Sequence, residues 1–471
     1  MNLPQAFIER TRQLLGDEAY TQFEEALQTE TPVSIRPNRM KCSQPVEGEP
    51  IPWASSGSYL NNRPTFTFDP LFHAGCYYVQ EASSMFVERV LQEYVKEPVV
   101  MLDLCAAPGG KSTLCRGVLP EGSLLVANEV MRNRSQILAE NLIKWGHPEV
   151  VVTNNDPADF TDLTHLFDVI LTDVPCSGEG MFRKDQVAVD EWSLENVDIC
   201  WKRQRRILAD IWPALKPGGI LIYSTCTFNR EEDEDNVAWI AKELDADILS
   251  VPVEDSWGIT GNLTGKDFPV YRFLPHKTKG EGFFLGVLKK RADVLDETPR
   301  RFLKTSARLD KKKKGKDAKQ PLVVPKEAKT WLEDSSEYAL AMKDTNVVAF
   351  PKAYENEYAL LQQTLKVIHA GITLGEIKGK DLIPHHSLAM STALAKEAFP
   401  RAEVNYEQAI SYLRKEGLIL DADVPRGYVL LTYKDVPLGF VKNIGNRANN
   451  LYPQEWRIRS GYLPEEVVTV F

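Results

Sequence analysis

Short apolar runs alternate with amphipathic stretches between residues 98 and 290, and this alternation is the main structural signal in the chain. Amphipathic segments at 131–145 and 195–215 predict helices. A late apolar run at 283–288 predicts a further strand. The other buried strands are predicted at 99–105, 123–129, 150–156, 167–173 and 219–226. Strand, glycine turn and helix in repeated order are typical of a doubly wound parallel sheet, so we predict an α/β fold with a Rossmann-like core.

The segments before and after this region have different hydrophobic patterns and compositions. The N-terminal part begins with apolar positions at helical spacing and continues into a proline-broken stretch, which predicts a small α+β region. The stretch 291–325 is polar, carries KKKKGK at 311–316, and predicts a basic linker. The tail resumes globular character, with a strand–turn–strand pattern around Lys434. We therefore divide the chain into 1–95, 96–290, 291–325, 326–405 and 406–471.

Composition and length add general limits to this picture. A chain of 471 residues exceeds one compact domain, and ~150 residues per domain gives about three. No apolar run is longer than a strand, and no basic N-terminal segment precedes one, so we expect neither a membrane helix nor a secretory signal. Seven cysteines with no Cys-x-x-Cys pair indicate reduced thiols in a cytoplasm and no metal site. For the adjacent His385 and His386 we expect a surface loop rather than metal ligands.

The net charge of −10 argues against a general affinity for nucleic acid, because phosphate neutralisation requires a local excess of Lys and Arg. RNA contacts should therefore be confined to patches. Each patch could equally be a solvated face. The basic clusters are Lys202, Arg203, Arg205 and Arg206; Lys311, Lys312, Lys313 and Lys314; and Arg447, Arg457 and Arg459.

A glycine-rich loop, DLCAAPGGKS at 103–112, follows the first predicted strand. It ends like a phosphate-binding P-loop, but that motif requires glycine where Cys105 stands. Asp103 would repel a triphosphate, whereas it can accept a hydrogen bond from the ammonium group of S-adenosylmethionine, which is cationic. The loop therefore favours this cofactor. The predicted cofactor contacts in the loop are Cys105, Ala106, Ala107, Pro108, Gly109, Gly110 and Lys111.

Acidic residues end the following predicted strands as well. Glu129 is placed to bind ribose hydroxyls, as the comparable acid does in dinucleotide sites, and Asp156 to receive the adenine amino group. Asp173 ends the fourth strand. Arg134 could brace Glu129 or the cofactor, or lie on the surface. A single strand-ending acid is commonly only a helix cap, but four in order, with Asp103 first, favour a nucleotide-like cofactor site.

Two further acidic or polar segments have competing interpretations. The segment QEASS at 80–84 either borders the cofactor pocket or simply begins a helix. The acids at 231–235 resemble a metal cluster, but we expect first-turn acids that complement a helix dipole.

Two cysteines follow strands of the same predicted sheet. Cys176 lies in DVPCSGEG at 173–180 and Cys226 in STCT at 224–227. A thiolate at a strand end can add to an electron-poor ring, a step needed when the carbon to be alkylated is not itself nucleophilic. The alternative for a lone cysteine is a small buried residue. Because two cysteines lie at the same sheet edge as the glycine loop, we predict methyl transfer to a pyrimidine.

These three motifs, in this order, resemble the Nol/Nop/Sun family of RNA cytosine-5 methyltransferases over about residues 30–290. The resemblance implies a class I methyltransferase core with S-adenosylmethionine as cofactor. Val174 and Glu129 depart from the family's usual alanine and aspartate, and both preserve the chemistry. The tail is similar to the small PUA-like domain of a bacterial member that acts on small-subunit ribosomal RNA, which implies the decoding region of 16S RNA as substrate.

The resemblance also implies roles for individual residues. Cys226 would be the nucleophile, Cys176 would assist release of the methylated RNA, and Asp173 would hydrogen-bond ring nitrogen 3 and the exocyclic amine. Lys111 would contact the cofactor or support the thiolate. We expect a monomer whose RNA contacts come from the N-terminal region and the tail. The predicted RNA-binding residues are Arg36, Lys442, Arg447, Arg457 and Arg459.

Two other classes of protein stay open. One is a P-loop nucleotide hydrolase, which Cys105 opposes. The other is a non-catalytic RNA-binding assembly factor on the same fold, which the retention of both Cys176 and Cys226 opposes. We further expect that deleting the chain from about residue 326 leaves cofactor binding intact and weakens RNA binding.

Overall fold

A computed structural model of the protein describes residues 2–292 and 323–471, so the predicted linker with its lysine run lies almost wholly outside the described residues. The N-terminal region pairs two helices with a small antiparallel sheet of order β2-β3-β1-β4. Gly16, at φ +84°, breaks the amphipathic stretch into two helices. The elements are α1 Gln5–Leu15, α2 Asp17–Leu27, β1 Val33–Pro37, β2 Glu49–Pro50, β3 Ser58–Leu60, α3 Pro70–His73, β4 Tyr77–Val79 and α4 Val87–Tyr94.

The central region forms the predicted Rossmann-like core. Its strands are β5 Val100–Asp103, β6 Leu124–Asn128, β7 Val150–Thr153, β8 Phe167–Asp173, β9 Leu215–Thr225, β10 Ala246–Leu249, β11 Tyr271–Phe273 and β12 Phe283–Lys290. Its helices are α5 Gly110–Val118, α6 Arg132–Trp145, α7 Gln186–Glu191, α8 Leu194–Ile211 and α9 Glu234–Glu243.

The core sheet confirms the predicted fold class. From β7 through β6, β5 and β8 to β9 all neighbouring strands are parallel. β12 runs antiparallel between β9 and β10, as an inserted late strand. Chain order reverses direction at β5 and β8, so the carboxyl ends of these strands face the crevice where α/β sheets bind ligands.

The C-terminal region contributes two more four-stranded sheets, of order β13-β14-β16-β17 and β18-β19-β20-β21. The turn at Lys434 and Asp435 has both φ angles positive, 50° and 65°, as a tight hairpin requires. The elements are β13 Tyr338–Lys343, β14 Asn346–Pro351, α10 Glu355–Thr364, β15 Val367–Ala370, β16 Ile372–Lys378, β17 Asp381–Pro384, α11 His386–Met390, β18 Arg401–Glu403, α12 Tyr406–Leu413, β19 Gly427–Tyr433, β20 Val436–Asn443 and β21 Ala448–Asn450.

One strand of this C-terminal region belongs to the core sheet. β15 pairs antiparallel with β7, with Ala370 opposite Val151. Beside this pair, the Lys366 carbonyl accepts a hydrogen bond from the Asn154 amide at 3.1 Å. The Lys366 amide in turn donates to Asn155 Oδ1 at 3.0 Å. The segment 326–405 is therefore joined to the core sheet through β15, and the expectation that deletion from 326 leaves cofactor binding intact stays a prediction.

The tail and the N-terminal region also share one apolar core. Ile35 and Tyr77 of the N-terminal sheet are buried together with Tyr412, Val429 and Tyr452 of the tail. On the opposite side, α1 and α2 pack on the central region, where the Phe7 and Phe182 rings are 5.0 Å apart. Burial of these aromatic side chains ties both flanking regions to the catalytic module.

The two adjacent histidines do not form a surface loop. His385 begins α11 and its Nδ1 accepts a hydrogen bond from the Ser387 amide at 3.0 Å. His386 is 4% exposed and packs between the rings of Tyr452 and Trp456.

In the described ranges no helix is both long and apolar enough to cross a membrane.

Candidate active site

The two predicted cysteines meet at the carboxyl edge of the core sheet. Cys226 follows β9 directly and Cys176 lies three residues beyond β8. Strands β8 and β9 are parallel neighbours with Asp173 opposite Ser224. This register brings the two sulfur atoms to 3.0 Å, and both thiols are free and partly exposed. The edge therefore presents a pair of interacting thiols to the crevice.

Cys176 holds its proton firmly. The hydrogen bond with Cys226, together with burial, raises the pKa of Cys176 well above its usual range. Cys176 is therefore the protonated partner, and it can donate its hydrogen bond to the sulfur of Cys226. A donor at this position stabilises negative charge on Cys226.

An ion pair lies beside the cysteines. Lys111 Nζ is 2.8 Å from Asp173 Oδ2, and Ser224 Oγ donates to Asp173 Oδ1 at 2.9 Å. Burial alone would lower the pKa of Lys111, but the Asp173 carboxylate more than offsets this and the pKa is raised. Lys111 is thus a charged ammonium group, able to stabilise an anion but not to accept a proton.

The loop that carries Cys176 is held by buried carboxylates. Glu179 accepts hydrogen bonds from the Thr227 hydroxyl at 2.7 Å and from the Phe228 amide at 2.8 Å. Glu232 accepts from the Ser177 amide at 3.0 Å. These bonds connect the segment after Cys176 to the segment after Cys226. Glu179 was not predicted as a supporting residue, because its partners lie about 50 positions away along the chain.

Glycine at position 180 is required by close packing at this point. Its amide donates to the Cys226 carbonyl at 2.8 Å. A Cβ at Gly180 would lie 2.8 Å from the same carbonyl oxygen and 2.7 Å from that of Gly282. A side chain would therefore push the two cysteine segments apart.

The acids at 231–235 do more than complement the dipole of α9. Only Glu234 and Asp235 lie in its first turn. Glu232, Asp233 and Glu234 are fully buried. Arg272, 1% exposed, lies 3.1 Å from Asp233 and also pairs with Glu234. The first-turn prediction therefore holds for two of the five acids, and the buried ones anchor the turn that follows Cys226.

The glycine loop has the shape that a cofactor with a charged amino-acid group requires. Gly109 adopts a left-handed conformation at φ +114°, and no side chain caps the start of α5. Ser112 donates to one oxygen of Asp103 at 2.6 Å, while the other, Asp103 Oδ1, is buried without a partner. Burial raises the pKa of Asp103 to about 7. An unpartnered buried oxygen fits the ammonium group of S-adenosylmethionine.

The other predicted cofactor residues lie along the same edge. Glu129 is 3% exposed, accepts from the Met131 amide at 2.8 Å and lies 3.5 Å from Arg134. Arg134 in turn donates to the Ala107 carbonyl at 2.8 Å, which braces the glycine loop. Asp156 lies three residues beyond β7, where it caps a short helical turn through the Ala158 amide. Its contact with adenine stays a prediction.

Arg36, together with Gln80 of the segment 80–84, links the N-terminal sheet to the start of α5, and a border of the cofactor pocket at 80–84 stays a prediction. Arg36 is 2% exposed; its Nε donates to Gln80 at 2.9 Å and its Nη2 to Thr113 at 2.6 Å. Its guanidinium also lies over the Trp145 ring, 4.5 Å from the centroid. The prediction of Arg36 as an RNA contact is therefore corrected, because its side chain is enclosed between the N-terminal sheet and α5.

The basic residues of the tail differ in how exposed their side chains are. Arg447 and Arg459 are exposed, and Arg457 is half-buried, with a hydrogen bond to the Gln454 carbonyl at 3.1 Å. Lys442 lies 3.3 Å from Asp381 of the neighbouring sheet. Their binding to RNA stays a prediction.

Across the described part of the chain, no cluster of three or more His, Cys, Asp or Glu is arranged to hold a metal ion.

Three family descriptions match this chain. "16S rRNA methyltransferase RsmB/F" matches residues 90–289, the N-terminal domain of 16S rRNA methyltransferase RsmF matches 3–82, and the methyltransferase RsmF PUA domain matches 399–458. Ribosomal RNA small subunit methyltransferase F of Klebsiella pneumoniae is 30% identical, covering 98% of this chain and 97% of that protein. The protein of the same name from Citrobacter koseri is 31% identical, with coverage of 98% and 97%.

Solved structures match over the catalytic module. NSun6 from Pyrococcus horikoshii, determined with SFG, has a TM-score of 0.54 at 22% identity and covers 62% of this chain and 99% of its own. A methyltransferase homologue from the same organism has a TM-score of 0.53 at 29% identity, covering 61% and 95%. Fold and sheet order define a class I methyltransferase. The chain belongs to the ribosomal RNA small subunit methyltransferase F family.

Proposed function

We propose that the protein methylates carbon-5 of a cytosine in small-subunit ribosomal RNA, using S-adenosylmethionine, through a covalent bond between Cys226 and the base. The observation that carries this proposal is the pair of thiols 3.0 Å apart at adjacent strand ends. The Asp173–Lys111 ion pair lies on the same edge. A non-catalytic assembly factor would require neither group.

The chemistry explains why a thiolate is needed. Carbon-5 of cytosine is a poor nucleophile until another nucleophile has added at carbon-6. The Cys226 thiolate adds there, and carbon-5 then attacks the methyl donor. S-adenosylmethionine, when bound, supplies an electrophilic methyl group. The demethylated thioether of the cofactor is the leaving group of the transfer. Loss of the carbon-5 proton to a water molecule and departure of Cys226 as a thiolate then restore the aromatic ring.

The neighbouring residues support separate steps. Asp173 accepts the hydrogen bond of the exocyclic amine and stabilises a protonated ring nitrogen 3, which selects cytosine over uracil. The Lys111 ammonium group holds Asp173 in position and favours the Cys226 thiolate. Cys176 stabilises the same sulfur while it is free and assists its departure at the end of the reaction.

The cofactor assignment rests on the glycine loop and the acids around it. The free oxygen of Asp103 accepts the ammonium group, and Glu129 takes the ribose hydroxyls. NSun6 of Pyrococcus horikoshii, which shares the fold, was determined with SFG, an S-adenosylmethionine analogue. Cys105 stands where the alternative P-loop reading needs glycine.

The names of the relatives support small-subunit ribosomal RNA as the substrate. We place the target cytosine in the decoding region, which is assembled in the cytoplasm. The base must leave its stack, because carbon-6 is inaccessible to a thiol inside a helix. Recognition of a folded substrate then falls to surfaces outside the pocket, among them the tail with Arg447 and Arg459.

Cofactor binding should depend on pH through Asp103. The pKa of Asp103 is raised to about 7 by burial, so below pH 7 the carboxyl must lose a proton before it accepts an ammonium group. We expect affinity for S-adenosylmethionine to fall by up to about tenfold per pH unit below 7. Asp103→Asn should bind weakly at pH 8 and show little pH dependence. Isothermal titration calorimetry between pH 5.5 and 8.5 measures both.

A matched control is Asp247→Asn, since Asp247 is half-exposed at the amino end of the sheet. It should bind like the wild-type protein at every pH. S-adenosylmethionine should also raise the thermal midpoint, whereas ATP with magnesium should not. Stabilisation by ATP alone would contradict the cofactor assignment.

A further inference from the structure

One exposed face of α8, the helix that is hydrogen-bonded to the Cys176 loop, carries positive charge. Ile199, Lys202, Arg203 and Arg206 recur at helical spacing of three and four and all are exposed. We call Lys202, Arg203 and Arg206 the α8 basic face. The opposite face of the helix is packed in the core through Val197, Cys200, Gln204, Ile207, Leu208 and Ile211. Packing therefore fixes the direction in which the basic side chains project.

Hydrogen bonds tie this helix to the loop of Cys176. Gln204 Nε2 donates to the Pro175 carbonyl at 3.1 Å and to Glu232 Oε2 at 2.7 Å. The same carboxylate oxygen accepts from the Ser177 amide at 3.0 Å. Arg203 directly precedes Gln204 in the helix. Gln204 thus anchors α8 to both neighbours of Cys176, and Arg203 projects from the exposed side of the same helical turn.

The other end of the face reaches the candidate cofactor edge. Arg206 Nη1 lies 3.5 Å from Asp156 and 3.7 Å from Asp210. The α8 basic face therefore lies on a helix that touches both the cysteine loop and the turn after β7.

Arg203 differs from Lys202 and Arg206 because it forms no ion pair with a carboxylate of the described residues. Lys202 Nζ lies 2.6 Å from Asp198, and Arg206 is shared between two carboxylates. Arg203 Nη2 contacts Cys200 Sγ at 3.4 Å, and it has no carboxylate within ion-pair distance among residues 2–292 and 323–471. On a protein with a net charge of −10, an exposed guanidinium without a carboxylate partner, on the helix that anchors the Cys176 loop, can bind an external anion.

We infer that the α8 basic face, with Arg203 at its centre, binds the phosphate groups that flank the target cytosine. The inference rests on the proposed function. When the base is extruded into the pocket, its 5′ and 3′ phosphates stay at the mouth. A guanidinium group binds phosphate through two parallel N–H donors, which fixes orientation as well as affinity. The exposed Ile199, on the same face, can pack against the ribose.

The test compares Arg203→Gln with Arg291→Gln. Both remove one positive charge from an exposed arginine, and Arg291 is 52% exposed at the amino end of the sheet, away from the cysteines. RNA binding is measured in the Cys226→Ala background, with a small-subunit RNA fragment over a range of salt concentrations. For Arg203→Gln we expect affinity to fall by about tenfold and the log–log salt slope to decrease by about 1. Arg291→Gln should change neither.

Steady-state kinetics of variants that retain Cys226 distinguish a loss of RNA binding from a general structural defect. Arg203→Gln should raise KM for RNA with kcat within about twofold, because uniform binding is lost. Arg203→Lys should restore most of the affinity, since it keeps the charge. S-adenosylmethionine binding should be unchanged in all three variants.

Other results would overturn the inference. If Arg203→Gln matches Arg291→Gln in affinity and salt slope while the wild-type protein methylates its RNA, the face does not bind phosphate and the proposed function stands. An unchanged salt slope with a lower thermal midpoint would assign Arg203 a structural role through Cys200. If the wild-type protein neither binds nor methylates small-subunit RNA, the proposed function fails and the inference with it.

Discussion

Cys226→Ala should lose at least about 10³-fold in turnover, since in the proposed mechanism the Cys226 thiolate is the group that adds to carbon-6 of the base. Cys176→Ala should behave differently. It keeps the nucleophile but removes the thiol 3.0 Å away that assists its departure. We therefore expect Cys176→Ala to accumulate a covalent protein–RNA complex that survives denaturation. Gel electrophoresis under denaturing conditions, with labelled RNA and S-adenosylmethionine, detects it directly.

Cys42→Ala is the matched control for both variants. Cys42 is 6% exposed in the N-terminal core, outside the site, so its removal should leave methylation intact and trap no RNA. If instead Cys226→Ala traps RNA and Cys176→Ala does not, the two roles are exchanged.

The second large effect should be on stability. Arg272 is 1% exposed between Asp233 and Glu234, whose side chains are fully buried. Arg272→Met would leave two buried carboxylates without a compensating charge, and breaking such a pair costs about 3–5 kcal/mol. The Arg272 Nη1 bond to the Phe228 carbonyl, 2.9 Å, would also be lost. Urea unfolding, followed by circular dichroism, gives the change in the free energy of unfolding.

The double variant Arg272→Met, Glu234→Gln distinguishes charge from packing. Neutralising one carboxylate should recover part of the lost stability if the buried charge is the cause. A loss below about 1 kcal/mol for Arg272→Met would show that the buried carboxyl groups are held as the neutral acids, as burial favours for Asp233.

The core strands could be predicted because each is buried on both faces and so appears as a continuous apolar run. Phe167–Asp173 was predicted to the residue. The predicted third strand ended three residues too late, because Asn154 turns to donate its side chain to the Glu129 carbonyl at 2.8 Å. The pairing of β15 with β7 could not be predicted, since it joins residues more than 200 positions apart and local periodicity carries no partner information.

In the site, too, local patterns could be predicted and long-range contacts could not. Asp103, Asp173, Cys176 and Cys226 were found because parallel strands bring their carboxyl ends to one edge. Arg36 was misassigned because the sequence does not show whether an arginine is enclosed. Its partners, Gln80 and Thr113, lie 44 and 77 positions away.

The roles of the two buried carboxylates that hold the cysteine loops could not be predicted for the same reason. Glu179 and Glu232 act on segments about 50 residues distant, through hydrogen bonds that only the folded chain creates. The contact between the tail and the N-terminal region could not be predicted for a related reason. The apolar positions of β1 and of α12 each predict a buried face, but not that the two faces share one core.

The most direct test of the central claim is nucleoside analysis of the RNA product. Small ribosomal subunits from a strain lacking this protein are incubated with the wild-type enzyme and S-adenosylmethionine, and the RNA is digested and examined by mass spectrometry. Our account predicts 5-methylcytidine with the wild-type enzyme and none with Cys226→Ala. Methyl transfer to another base or position, or 5-methylcytidine formed by Cys226→Ala, would contradict it.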